Sequence, residues 1–101
     1  MSTDVIVPLS KPIKAHDEEL SQLTLREPTT EEVMEEGYPF LVVTSKTGDS
    51  GVELRPKVVA RYVMKLSGIP LSSVKQLSVP DLQRCQVAVM GFFGEGPDQQ
   101  S

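Results

Sequence analysis

LRPKVVARYVMKLSGIP, residues 54–70, settles the helical half of the fold, because its apolar side chains share one face and its end is marked. At about 100° per residue, Val58, Val59, Tyr62, Val63 and Leu66 fall on one side, while Lys57, Arg61 and Lys65 follow at i, i+4 and i+8 along the other. Gly68 suits the left-handed position just past a helix, and Pro70 cannot continue one. The pattern predicts a helix over residues 54–67 with one apolar side and a basic flank.

Towards the N-terminus the period changes from helical to alternating. Val5, Val7, Leu9 and then Ile13, with Leu23 and Leu25 after a polar gap, recur every second residue, as in strands with one buried face. His16, Asp17, Glu18 and Glu19 are turn-compatible, so residues 4–27 read as a β-hairpin. Pro8 and Pro12 have no N–H for a ladder, which places the first strand at an edge or puts a bulge in it. Lys11 and Lys14 suit an edge that must not pair with other chains.

After Pro28, Thr29 with Glu32 three residues on fits a capping box, opening an acidic helix over 30–36 that Gly37 ends. Tyr38 to Thr44 is β-prone and Lys46 to Gly51 has turn composition, which leaves residues 38–53 open between strand and extended loop. Ser73 to Leu77 allows one helical turn. Ser78 with Asp81 is a plausible cap for a last helix near 79–93, Pro80 being tolerated in its first turn. On that helix Leu82, Cys85, Val89 and Phe93 make a core stripe, while Val87, Ala88, Met90 and Phe92 extend apolar character around the cylinder. Such a helix is either central to the core or meets another chain, so self-association is one expectation. The fold class expected is α+β: an N-terminal β-hairpin followed by three or four α-helices, one small domain over residues 1–93, with a polar tail at 94–101 expected to be disordered.

At 101 residues, 39% hydrophobic and 24% charged, the chain has the size and balance of one folded domain. The net charge of −4 is unevenly spread: residues 1–51 carry four basic against ten acidic side chains, residues 52–101 six against four. That polarity suits docking of the two halves on one another, docking between copies, or simply two solvated surfaces. Cys85 is the one cysteine, so no internal disulfide is expected and a cytoplasmic setting fits. The first residues lack a basic region and a long apolar run, and no stretch nears the roughly 20 apolar residues of a membrane span, so neither secretion nor membrane insertion is expected.

No catalytic constellation assembles. Cys85 lies among apolar helix neighbours that would raise its pKa, and His16, the lone histidine, is the only imidazole base. Glu31, Glu32, Glu35 and Glu36 read as a solvated acidic face rather than as paired acid and base. Thr47-Gly-Asp-Ser-Gly51 lacks the strand-to-helix setting of a hydrolase nucleophile. Consecutive acidic residues after His16 diverge and do not make a calcium loop, so neither metal nor cofactor is expected. A short helix before a longer one invites a helix-turn-helix, but an acidic chain whose last helix is rich in Val, Met and Phe is a poor reader of bases, and no nucleic acid partner is expected.

Several stretches resemble, in their order and spacing, the small tail assembly chaperones of contractile-tailed, Mu-like bacteriophages, encoded before the tape measure. They are Leu9-Ser-Lys-Pro-Ile13, the run Glu19 to Thr29, Ala60-Arg-Tyr-Val63 with Leu66-Ser-Gly-Ile-Pro70, and Ser73 to Ser78 leading into Asp81 and Val89-Met-Gly-Phe-Phe93. The likeness spans residues 6–93 and is weakest over 38–53. It implies a non-enzymatic protein of the host bacterial cytoplasm, infected or lysogenic, that binds the tape-measure protein, helps recruit the tail-tube protein and leaves before the virion is complete. It also implies a longer, frameshifted form of the same chain as a further partner. A handler of a helical client needs an apolar surface rimmed by charge, so Tyr62, Val63, Leu66, Met90 and Phe92 are expected to line it, with Lys57, Arg61 and Lys65 at the rim, unless these same residues form the domain core. The alternatives are a minor structural tail protein retained in the virion and a small DNA-binding regulator.

Overall fold

A computed structural model describes residues 4–94, arranged as four strands and four helices. Strands β1 (Val5–Ala15) and β2 (Glu18–Leu25) form the expected N-terminal hairpin. The turn is a tight pair, His16 at φ 53° and Asp17 at φ 62°. Two successive left-handed residues match the right-handed twist of the flanking strands, which is why Asp tolerates the position. The alternation holds on the inner face, where Val7, Ile13, Ala15, Leu23 and Leu25 are buried.

The ladder breaks between Pro8 and Ile13, where the register shifts. Two prolines in five residues leave few donors for pairing, and the chain bulges. The N–H groups of Ser10 and Lys11, at the bulge, donate instead to the two carboxylate oxygens of Asp81, at 2.9 and 3.1 Å. The Ser10 hydroxyl donates to the same carboxylate at 3.0 Å.

Helix α1 (Thr30–Glu36) has both halves of the capping box: the Glu32 N–H donates to Thr29 Oγ1 at 3.1 Å and the Thr29 N–H to Glu32 Oε1 at 3.0 Å. Residues 38–53, left open by the sequence, contain most of a second hairpin, β3 (Phe40–Thr44) with β4 (Ser50–Leu54). Its partner register puts Leu54 opposite Phe40, so the following helix, α2 (Pro56–Ser67), starts two residues later than its apolar periodicity suggested. The Arg55 N–H donates to the Pro39 carbonyl at 2.9 Å, closing the hairpin at its base, and Pro56 pre-sets the first helical turn.

Gly68, at φ 76°, ends α2 as expected, and α3 (Leu71–Val74) is a single turn before α4 (Val79–Gly94). The Asp81 N–H reaches Ser78 Oγ at 3.3 Å, the cap expected at that helix start. The core lies between the inner face of β1–β2 and helices α2 and α4, with Val58, Val59, Tyr62, Val63, Leu66, Cys85 and Val89 nearly or wholly inaccessible. The stripe expected on α4 therefore faces the core through Cys85 and Val89, while Val87 is 71% exposed. Of the tail expected at 94–101, Gly94 is the last residue of α4 and the rest lies outside the described residues.

Candidate functional site

The acidic and basic halves meet through α1 and α2. Arg26, just past β2, holds Glu32 by two parallel bonds, Nη1 to Oε1 at 3.0 Å and Nη2 to Oε2 at 2.6 Å. Its guanidinium is the main reason the Glu32 carboxyl is pulled down to about 2. Lys65 bridges Glu35 at 3.0 Å and Glu36 at 2.8 Å, which raises its own pKa, and Arg61 lies 3.7 Å from Glu36. Much of the acidic face of α1 is thus engaged with one flank of α2.

The surface expected on α2 and α4 is only partly there. Tyr62, Val63 and Leu66 lie inside the core at 0, 0 and 3% exposure, so they are corrected from surface to interior. The reason is geometric: the stripe that a partner would use is the stripe that β2 and α4 cover. Tyr62 donates its hydroxyl to the Gly37 carbonyl at 2.6 Å, and its ring meets Phe93 edge-on at 5.4 Å. Met90 and Phe92 are half-buried. Lys65 is committed to α1, and of the expected rim only Lys57 and Arg61 flank an open apolar surface.

That surface is a groove of about 360 Å³ on the other flank of α2, closed by α3 and the start of α4. Ala60, Leu71, Val74, Leu77 and Leu82 supply its apolar lining, and Lys57, Arg61 and Lys75 stand around it. All three cations are exposed. Among the described residues no carboxylate makes an ion pair with Lys57 or Lys75, and Arg61 has only its longer contact with Glu36. Lys57, Ala60 and Arg61 are placed together by the i, i+3, i+4 spacing of one helical face. Periodicity could not reveal the other wall, because it comes from a one-turn helix and its linker. The only signal was the short run Leu71 to Leu77, with apolar residues every third position.

The second hairpin leaves apolar side chains uncovered on both of its faces. Val42 and Val52, opposite one another, are 68% and 58% exposed, and on the reverse face Leu41 and Val43 are 46% and 44% exposed. It joins the body at its base, where Phe40 and Tyr38 pack around Phe93 with ring centroids at 6.5 and 5.7 Å.

Cys85 is fully buried and its thiol is pushed up to about 11 by that burial, the opposite of an activated nucleophile. Among the described residues no three His, Cys, Asp or Glu side chains are grouped to hold a metal ion, and no helix is long and apolar enough to cross a membrane.

A sequence model of a protein family described as "Phage tail assembly chaperone proteins, E, or 41 or 14" matches residues 7–94. No curated protein and no solved structure matches the chain.

Proposed function

The chain belongs to this family of phage tail assembly chaperones, and from that premise we propose that it binds the tape-measure protein, keeps it soluble and promotes assembly of the tail tube. It works without catalysis in the host bacterial cytoplasm and is released before the virion is complete. The observation that carries the reading beyond family membership is the groove between α2, α3 and α4, an apolar surface with cations around it and no occupant from the described chain. A tape measure is a long helical polypeptide, and apolar stripes on such a helix are the client surface a groove of this kind covers. Lys57 and Arg61 are its contact residues, together with Lys75, Leu71 and Leu77.

Co-expression with the tape-measure protein encoded nearby tests this. The expected result is a tape measure that is insoluble alone and becomes soluble and co-purifies with the tagged chain. Unchanged solubility with nothing co-purifying rejects the reading. A second reading, a tail protein retained in the virion, draws on the β3–β4 hairpin, whose two uncovered apolar faces suit permanent burial in an assembly. Mass spectrometry of purified particles separates the two: the chaperone is absent from them, the structural component is present.

A further inference from the structure

We propose that the groove formed by α2, α3 and α4 is selective for an amphipathic helix whose apolar stripe is bordered by aspartate or glutamate. The inference takes its client from the chaperone reading and adds the chemistry by which that client is chosen. Charge complementarity is the argument. The chain is acidic overall, yet this one apolar surface is ringed by Lys57, Arg61 and Lys75. The nearby cation that is fully neutralised, Lys65, is held by Glu35 and Glu36 on the α1 flank of the same helix. Along one helix, then, Lys65 has its counter-charges supplied by the chain and Arg61 has a longer 3.7 Å contact with Glu36, while Lys57 has no ion pair among the described residues.

The groove's form selects the kind of partner. Its walls are helices with no free strand edge, so an extended segment gains no ladder hydrogen bonds there, whereas the anchors of a helix at i, i+3 and i+4 fit an apolar trough. Its volume of about 360 Å³ is near the lower end for ligand pockets, enough for anchoring side chains of a helix laid across it. The only charged groups of its lining are the three cations, and all are exposed; charges of one sign beside an apolar surface set register and reject wrong partners. A helix with a basic border meets like charge there.

Two synthetic helical peptides test this without any tail protein: the same leucine stripe bordered by glutamate in one and by lysine in the other, titrated against the full chain by fluorescence anisotropy. An exposed ion pair changes affinity by a factor of about one to five, so three cations predict a preference for the glutamate peptide on the order of tenfold. Raising salt from about 0.1 M to about 1 M, which shortens the screening length from about 10 Å to about 3 Å, is expected to shrink it. The exposed double variant Lys57→Glu with Lys75→Glu, its fold checked by circular dichroism, is expected to reverse the preference. Equal binding of the two peptides, tighter binding of the lysine peptide, or no binding of either overturns the proposal. Those outcomes leave the chaperone reading untouched if the chain still solubilises the tape measure. Conversely, peptide selectivity without tape-measure solubilisation keeps the groove's chemistry and removes its assigned client.

Discussion

The described residues contain two antiparallel hairpins, and they differ in what covers them. In β1–β2, five apolar side chains are buried beneath the helices; in β3–β4, no residue is fully buried and both faces carry exposed valines or leucine. Their sequences already differ in rhythm. The first alternates apolar with polar, the pattern of a strand with one covered face; β3 reads Phe-Leu-Val-Val-Thr, the continuous run of a strand covered on two. The first hairpin is therefore stabilised by the chain's own core. The second has the composition of an interior strand without an interior around it, and a lone two-stranded hairpin is marginal in water.

Four measurements break or sharpen this contrast. The largest effect is expected from Leu25→Ala, at a wholly buried position of β2, which should lower unfolding stability in urea by about 2–5 kcal/mol. A loss below that of a surface substitution would mean the first hairpin is not part of the core.

Next is Asp81→Asn, expected to lower the melting temperature at neutral pH by several degrees. It weakens the acceptor that the β1 bulge relies on. This prediction has a pH signature. The donors around Asp81, first of all the Ser10 N–H, pull its carboxyl down to about 2, and Glu32 is pulled down to about 2 by Arg26. A carboxyl depressed on folding contributes stability at neutral pH, because the unfolded chain takes up protons first as the solution is acidified. That contribution should fade from about pH 4.5 towards pH 2. The melting temperatures of parent and Asp81→Asn are expected to converge over that range, and parallel curves would reject the clip as a source of acid sensitivity.

A smaller effect, about 0.5–2 kcal/mol, is expected for Thr29→Ala, which removes the side-chain half of the α1 cap between the two hairpins. Circular dichroism melts read it. The smallest is Val42→Ala in β3, expected within about 0.5 kcal/mol of the parent in the isolated chain. Should it destabilise the isolated chain as Leu25→Ala does, the distinction between the hairpins fails.

The sequence disclosed elements where one residue type dictates one geometry. Thr29 with Glu32, Gly68 before Pro70, and the two prolines of β1 each left a local instruction, and each is obeyed in the structure. The family was legible too, from the order of its short motifs. Two things were not. β3–β4 hides in a stretch whose turn and strand signals are separately weak and whose apolar run fits several structures. The groove joins Ala60 and Arg61 to Leu71, Val74, Leu77 and Leu82, residues brought together by the turn at Gly68 rather than by any period. Periodicity found the right stripe on α2 but left it between core and partner surface, because the two have the same spacing; only packing distinguishes Tyr62 from Ala60.

The Asp81 clip also orders events in time. Ser10 and the carboxylate that receives it are 71 residues apart, so a ribosome adding about 5–20 residues per second makes the acceptor roughly 4–14 s after the strand that needs it. During that interval the bulged first hairpin has neither its acceptor nor the α4 side of its core. Any product terminated before residue 81 keeps it in that unfinished condition. Completion of α4 thus seals β1, and that strand becomes native only after a residue 71 positions downstream has been translated.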